Sequence, residues 1–310
     1  MGLNDLVLFA VVFCSMGVAV WMPELGRVFQ PYLLHYMMLL LFLSFLKINF
    51  VALMHTSWAG LYRIGILTTV KLIVLPAVLY WVTLAVLPDY AIPVLLLTGI
   101  STGVVAPFMG MLVEADLVMV LRMVVITSVL VPFSLPALVK IMAGAEVTIS
   151  LWTMISMLAL VIFLPMAAVL LARRTAPRLL ATIGRHQFPI SMVLFAMVNI
   201  GVFSKYSSFF FAHPGQIIVS VGVAYVLSVV YYTAGFVLTI RQETSDRMAA
   251  GVSLAILNNV LVIIFSCEFF GPLSPTLAAM YMLPYYTMIV PAKLVAQRIG
   301  VHYKRGCCRR

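Results

Sequence analysis

The chain has 310 residues, of which 64% are hydrophobic and only 9% are charged, and its mean hydropathy is +1.16. An ordinary soluble domain carries about 25% charged residues, so this composition excludes a water-soluble globular protein and predicts a membrane protein. The net charge is +10. Because the basic residues fall mainly in short segments between apolar stretches, the lipid bilayer is the expected partner and nucleic acid is not.

Ten apolar segments are candidates for membrane-spanning helices, each of which needs about 20 apolar residues. Their approximate limits are 5–22, 31–50, 65–87, 91–112, 117–140, 151–171, 188–204, 216–240, 248–268 and 275–297. The first segment is expected to remain in the mature protein, because no basic residue precedes it and no small-residue cleavage site follows it. The segment from Asn49 to Gly65 mixes polar, aromatic and apolar residues, so it is predicted to lie in the membrane interface.

Lysine and arginine are distributed unequally between the two sides of these ten spans. Only Arg27, Lys140 and Lys205 fall on one side. Short positively charged loops stay in the cytoplasm, so both termini are predicted to be cytoplasmic, in a bacterial inner membrane. The thirteen residues on the cytoplasmic side are Lys47, Arg63, Arg173, Arg174, Arg178, Arg185, Arg241, Arg247, Arg298, Lys304, Arg305, Arg309 and Arg310.

Two polar, glycine-containing interruptions occur at equivalent positions in the two halves of the chain. GISTGVVAPF begins at Gly99 and GVSLAILNNV begins at Gly251, and the same offset of 152 residues relates Pro132 to Pro284. Each half holds five spans, and five is an odd number. The second half therefore enters the membrane in the opposite sense, which predicts an all-α protein of two inverted five-helix repeats with broken helices four and nine.

The predicted organisation follows from this repeat. The parts are a first five-helix repeat at 1–145, helix six with a basic cytoplasmic linker at 146–187, the rest of the second repeat at 188–300 and a basic cytoplasmic tail at 301–310. The linker from Arg173 to His186 is interpreted as a loop and not as a ligand site. The cysteines form no C-x-x-C pair, so no metal or cofactor is expected. The role of Cys307 and Cys308 in the tail stays open.

The two interruptions are the candidate binding site. A helix broken inside the bilayer frees backbone groups, which survive only where they face protein, water or a solute. Gly99, Gly103 and Pro107 permit the first break, and Asn258 and Asn259 supply amide groups at the second. Half-helix N-termini at such breaks attract anions. The alternative is structural, with glycines allowing close helix packing and the asparagines bonding across helices.

Four segments resemble the bile acid:sodium symporter family, part of a superfamily that also contains arsenite and auxin carriers. They are LLFLSFLKINF at Leu40, KLIVLP at Lys71, GISTGVVAPFMGMLVEADL at Gly99 and ITSVLVPFSLPAL at Ile126. The resemblance implies a ten-helix fold with a panel domain and a core domain, in which helices four and nine unwind and cross. It also implies transport of an amphipathic or small organic anion, usually coupled to sodium.

The positions that hold sodium in that family lack most of their oxygen ligands in this chain. They correspond to Lys71, Ala106, Pro107, Val120, Val124, Ser253 (or Gly251 if no gap is allowed), Leu257, Asn258 and Asn259. Hard cations such as sodium are held by oxygen atoms. Coupling to sodium is therefore not expected, and the predicted transport is proton-coupled or uncoupled.

Lys71 and Arg122 are predicted inside spans, whereas all nine acidic residues fall at span ends or in loops. Lys71 stands where a sodium ligand is expected, so our hypothesis is that its ammonium replaces the ion and favours an anionic solute. Release of its proton during the cycle would couple transport to protons. The alternatives are that Lys71 and Lys293 snorkel to the membrane surface, and that Arg122 pairs with Asp116, Glu114 or a helix end.

The predicted function is secondary transport of an organic anion by alternating access, and two alternatives remain open. One is a sodium-coupled bile acid or organic anion symporter, and the other is a non-transporting receptor on a transporter fold. An enzyme is not expected, because the spans lack a nucleophile, a metal cluster and paired carboxylates. The predicted site comprises Lys71, Ser101, Thr102, Gly103, Ala106, Pro107, Ser253, Asn258 and Asn259, with Arg122, Thr127 and Ser128 as candidate charge partners.

Five tyrosines within the spans are assigned to aromatic belts and helix packing, with a cavity lining as the alternative. They are Tyr231, Tyr232, Tyr281, Tyr285 and Tyr286.

Overall fold

The structure is a computed structural model that describes residues 3–46, 58–103, 105–144 and 150–307. The chain is 87% helical, and no β-strand occurs within these ranges. Several sequence predictions fall on residues outside them. These are the basic residue Lys47, most of the interfacial segment before Trp58, the domain boundary at residue 145 and the end of the tail with Cys308.

Six helices in the described part of the chain are long and apolar enough to cross a membrane. This confirms the predicted class, an all-α multi-pass membrane protein. Two shorter apolar helices, Pro88–Thr98 and Asn259–Phe269, accompany them. The six are Pro23–Phe45, Gly60–Val86, Leu117–Met142, Leu151–Thr175, Gln187–Lys205 and Pro214–Leu238.

The helices follow one another with short connections. Those of the first half are α1 (Leu3–Trp21), α2 (Pro23–Arg27), α3 (Leu33–Phe45), α4 (Trp58–Thr69), α5 (Leu75–Val86), α6 (Ala91–Thr98), α7 (Ala106–Leu112) and α8 (Leu117–Met142). Those of the second half are α9 (Leu151–Thr175), α10 (Pro177–Arg185), α11 (Gln187–Lys205), α12 (Ser207–Ala212), α13 (Pro214–Leu238), α14 (Thr244–Ala255), α15 (Asn259–Phe269), α16 (Leu273–Met280), α17 (Met282–Thr287) and α18 (Ile289–Cys307).

The predicted span 65–87 begins earlier than expected and contains a wide turn. Helix α4 already starts at Trp58, so the described end of the predicted interfacial segment is part of this helix. Between α4 and α5 the chain forms the π turn Val70–Val74. Pro76 explains this turn, because it lacks an N–H and its ring crowds the carbonyl of Leu72, four residues earlier. A π turn relieves such a conflict by widening the helix locally.

The last predicted span, 275–297, is divided into short helices by its prolines. Pro284 leaves the carbonyl of Met280 without its usual helical partner, and α16 ends at that residue. Pro291 does the same to Thr287, where α17 ends. The hydropathy of the segment predicted one helix because a hydropathy average does not register the missing N–H groups.

The basic linker predicted as a loop is helical. Helix α9 continues through Arg173 to Thr175, and α10 occupies the segment from Pro177 to Arg185. Proline is well tolerated in the first turn of a helix, where its missing N–H has no intrahelical partner in any case. The sequence prediction was wrong here because arginine, which is a good helix former, was read only as a sign of solvent exposure.

Gly251 lies inside α14, so the second interruption begins later than predicted, at Ile256. This glycine serves helix packing. A Cβ atom on Gly235 of α13 would lie 2.7 Å from the backbone of Gly251. Helices α13 and α14 are therefore in backbone contact, which small residues permit in membrane proteins. The structure supports the packing alternative at this position.

The helices pack into two groups. The small group contains α1, α2, α3, α9, α10 and α11, and the large group contains α4 to α8 and α13 to α18. The main contacts between the groups are those of α8 with α9 and of α15 with α3 and α11. Within the large group α14 is buried on every side from Arg247 to Ala255, so it is the central helix of that group.

Candidate functional site

The two helix breaks lie side by side in antiparallel orientation, with Thr102 opposite Leu257. The first break separates α6 from α7, and the second separates α14 from α15. We call the two breaks and their contacts the crossing. Two backbone hydrogen bonds join them, from Gly103 N–H to Ile256 C=O at 2.8 Å and from Asn258 N–H to Ser101 C=O at 3.1 Å.

Gly103 is required by the close approach of the two breaks. A Cβ atom at this position would lie 2.6 Å from the carbonyl oxygen of Leu257. The contact is with backbone and cannot be relieved by rotating a side chain. The sequence prediction of Gly103 as a break residue is therefore matched by a specific steric reason.

The carbonyl groups at the C-terminus of α14 are bound by four different parts of the chain. The last carbonyls of any helix lack intrahelical partners, and leaving one unsatisfied in a buried site costs about 1–3 kcal/mol. Their donors come from far apart in sequence, so the end of α14 is a meeting point. The bonds are Ile256 N–H to Val252 C=O (2.9 Å), Thr102 Oγ1 to Ser253 C=O (2.7 Å), Lys71 Nζ to Leu254 C=O (2.8 Å) and Tyr281 Oη to Ala255 C=O (3.0 Å).

Lys71 is fully buried, and its ammonium lies at the C-terminal end of α14. Nζ also lies 5.3 Å from the centroid of the Tyr231 ring. Among the described residues, none of the ion pairs includes Lys71. The alternative that this side chain snorkels to the surface is therefore wrong, because its nitrogen is turned into the protein and away from the lipid headgroups.

Two interactions offset the cost of burying this cation. Removing an ammonium from water costs several kcal/mol even after relaxation of the surroundings. The negative end of the α14 dipole contributes up to about 2 kcal/mol, and a desolvated contact with the face of Tyr231 contributes about 2 kcal/mol more. The sum is of the same order as the cost, so Lys71 is held as a cation by a helix end and an aromatic ring.

Tyrosine hydroxyls bind the ends of both broken helices. Tyr231 Oη donates to the carbonyl of Thr98 at the end of α6, at 3.0 Å. Tyr285 Oη donates to the carbonyl of Leu257 and also bonds Asn259 Oδ1 at 3.0 Å. With the Tyr281 bond to α14, these contacts correct the assignment of the tyrosines to belts and packing. The available signal was their place in the middle of spans, away from the interfaces where aromatic belts lie.

The candidate partners on α8 are partly engaged at the crossing. Thr127 Oγ1 accepts a hydrogen bond from Thr102 N–H at 2.9 Å and donates to Met123 C=O at 2.6 Å. Ser128 is buried beside it. Arg122 lies on the same helix and is half-buried.

The remaining predicted residues lie at or close to the breaks. Ala106 and Pro107 begin α7, and Ala106 N–H donates to Gly103 C=O at 2.9 Å. Asn258 Nδ2 is 3.4 Å from Ser101 Oγ, as expected for an amide bonding across helices. The structure thus brings Lys71, Ser101, Thr102, Gly103, Ser253, Asn258 and Asn259 together around one crossing.

Three buried polar atoms near the crossing have no hydrogen-bond partner among the described residues. They are Ser253 Oγ, Asn259 Nδ2 and Tyr232 Oη. The orientation of the Asn259 amide is fixed because its oxygen is bound by Tyr285. All three groups can donate a hydrogen bond. The unused capacity of the site is therefore of the kind that an anion or a water molecule satisfies.

Polar contacts also connect the ends of the large group. Arg63 pairs with Asp246 at 2.5 Å, and Lys293 pairs with Glu114 at 2.9 Å. The hydrogen bond and the charge of Lys293 lower the pKa of the exposed Glu114 carboxyl. Arg247, predicted in a cytoplasmic loop, is instead a buried residue of α14. It donates to Ala296 C=O at 2.8 Å and to two carbonyls after α13.

Comparison with known proteins adds no relative to this description. The chain matches no protein-family model and no characterised protein. Within the described ranges, no three His, Cys, Asp or Glu side chains come together in a way that would hold a metal ion. The geometry of the crossing is therefore the basis for assigning a function.

Proposed function

We propose that this protein is a secondary transporter that moves an organic anion by alternating access at the crossing. The observation that carries the proposal is the buried ammonium of Lys71, bound to the end of a broken helix beside a set of unpaired hydrogen-bond donors. Broken helices in corresponding positions of two repeats form the substrate and ion sites of many secondary transporters. A buried ionisable residue inside the membrane supports a functional site by default.

The proposed topology has ten membrane passes in two inverted five-helix repeats. The passes are α1, α2 with α3, α4 with α5, α6 with α7, α8, α9, α11, α13, α14 with α15, and α16 to α18. The fourth and ninth passes are then the two broken ones, and their antiparallel contact supports an inverted relation. The small and large helix groups correspond in this proposal to the panel and core domains of the bile acid:sodium symporter fold. Both termini face the cytoplasm, in a bacterial inner membrane.

Lys71 acts in this proposal as a permanent substitute for a coupling cation. Unwound carbonyls and helix C-termini coordinate sodium or protons in transporters with broken helices, and the ammonium occupies such a position at Leu254. Its charge favours an anionic solute, and Ser253, Asn259 and Tyr232 supply donors for that solute. Transport is then independent of sodium and is either coupled to protons or uncoupled.

The proposal is tested by the melting temperature of purified protein in sodium chloride and in choline chloride, across pH, for wild type and Lys71→Gln. A ligand that binds only the folded state raises the melting temperature. We expect no effect of sodium on wild type and a pH-dependent shift that Lys71→Gln abolishes. Lys205→Gln is the matched control, because Lys205 also binds a helix-end carbonyl, at 3.2 Å, but lies outside the crossing.

Uptake into proteoliposomes completes the test, with taurocholate and pyruvate as a steroid anion and a small keto acid. Uptake of either anion without a sodium gradient supports the carrier. A sodium-dependent rise in melting temperature would instead favour an ordinary sodium symporter. Binding of an anion to wild type without any uptake would favour a receptor on a transporter fold.

A further inference from the structure

A second site lies far from the crossing, where α3, α9, α10 and α11 meet. It is a cavity of about 310 Å³ whose walls include Leu180, Ala181 and Gly184 of α10 together with Arg173 and Gln187. It is open to one side and lies beside helix ends, at the boundary between apolar and polar surroundings. One wall is apolar, and the opposite wall carries polar groups.

The polar wall offers one cationic donor and one unused acceptor. The Arg173 guanidinium donates to the carbonyl of Leu46 at 2.9 Å, which fixes it at the cavity. Gln187 Nε2 donates to the carbonyl of Leu43 at 2.7 Å, so the amide cannot be reversed. Its Oε1 atom is buried and has no hydrogen-bond partner in the described part of the chain. A ligand that fits must therefore accept from arginine and donate to an amide oxygen.

The surroundings of the cavity are strongly basic. Arg174, Arg178 and Arg185 are exposed on the same short stretch of chain, and the sequence contains no acidic residue between Glu146 and Glu243. Helix α10 turns Leu180 towards the protein while its arginines face outwards. A helix with one apolar and one basic face lies in the membrane interface and is attracted to anionic lipids.

We propose that this cavity binds the headgroup of an anionic phospholipid of the phosphatidylglycerol type. The phosphate accepts hydrogen bonds from Arg173, and a headgroup hydroxyl donates to Gln187 Oε1. The acyl chains then lie against the apolar wall at Leu180. A phosphate bound by arginine in a basic pocket between membrane helices follows ordinary lipid recognition. The site is separate from transport and does not depend on it.

The experiment measures lipid binding to detergent-purified protein by native mass spectrometry and by melting temperature. The probes are dioleoylphosphatidylglycerol, dioleoylphosphatidylcholine and glycerol 3-phosphate. We expect the anionic lipid alone to raise the melting temperature by several degrees and to remain bound as one molecule per chain. An equal rise with phosphatidylcholine would overturn the anionic selectivity. An equal rise with glycerol 3-phosphate would show a site for free phosphate instead of a lipid.

Gly184→Leu blocks the cavity without touching its polar groups, because no atom lies within 4 Å of a Cβ at this position. We expect it to weaken phosphatidylglycerol binding by about ten-fold or more, since the new side chain occupies the headgroup space. Gly222→Leu on α13 is the matched control, because Gly222 is equally open but lies outside the cavity. Unchanged binding by a folded Gly184→Leu protein would overturn the proposal. Arg173→Gln is expected to lose the preference for anionic over zwitterionic lipid.

Discussion

Lys71, Thr102 and Tyr281 each donate a hydrogen bond to a carbonyl at the end of α14. Inside a helix these carbonyls would be bound by backbone N–H groups of the next turn. At the crossing the next turn is absent, and side chains replace it. The identity of each residue therefore follows from reach: a long ammonium from α4 and α5, a short hydroxyl from the facing break, and a phenol from the far side of the group.

The Thr102 hydroxyl provides a direct test of this replacement. We expect Thr102→Val to lower the free energy of unfolding by about 1–3 kcal/mol, because the buried Ser253 carbonyl loses its donor while the shape is kept. Thr98→Val is the control. Thr98 is equally buried, but its hydroxyl donates to Val94 C=O within its own helix, at 2.6 Å. Unfolding in detergent measures both variants, and equal effects would contradict this account of the crossing.

At the scale of elements, the sequence predicted where the helices lie but not how their ends are bound. Apolar length located the spans, and glycine, proline and asparagine located the breaks. The partners were not predictable, because Lys71 meets Leu254 across 183 residues and Tyr231 meets Thr98 across 133. Local patterns carry no information about such distant pairs. The division of the last span at Pro284 and Pro291 was readable from the missing N–H groups and was overlooked.

The contact of α13 with α14 provides a test at this scale. We expect Gly235→Ala to lower the free energy of unfolding by about 1–3 kcal/mol, because the new Cβ would overlap the backbone at Gly251 and force the helices apart. Gly222→Ala in the same helix meets no atom within 4 Å. It is expected to be neutral or to stabilise by up to about 1 kcal/mol through helix propensity. Thermal unfolding compares the two, and a neutral Gly235→Ala would contradict the backbone contact.

At the scale of the whole molecule, the two helix groups are joined by a polar contact at one end. Lys205 at the end of α11 donates to Cys267 C=O at 3.2 Å, and Tyr206 donates to the same carbonyl at 3.3 Å. The acceptor belongs to α15, so a residue pair of the small group binds a helix of the large group. Any relative motion of the groups at this end must break these bonds.

The buried thiol of Cys267 reports on this contact. In a protein carrying Ser at positions 14, 307 and 308, we expect Lys205→Ala to increase the rate of maleimide modification of Cys267 by about five-fold, as the loss of about 1 kcal/mol of closing free energy predicts. Lys140→Ala, another lysine at a helix end, is the control and should leave the rate unchanged. An unchanged rate for Lys205→Ala would show that the contact does not hold the groups together.

The π turn before Pro76 gives the helix from Trp58 to Val86 an unusual sensitivity to length. Each residue of an α-helix advances its direction by about 100°, and the turn absorbs such an advance between its two ends. Arg63 fixes the direction of the first end through Asp246. Deleting one residue at the turn would therefore act as a rotation, swinging Lys71 around the helix axis by more than a quarter of a circle. Insertions and deletions at this point would change which way the cation faces, while leaving the hydropathy of the span almost unaltered.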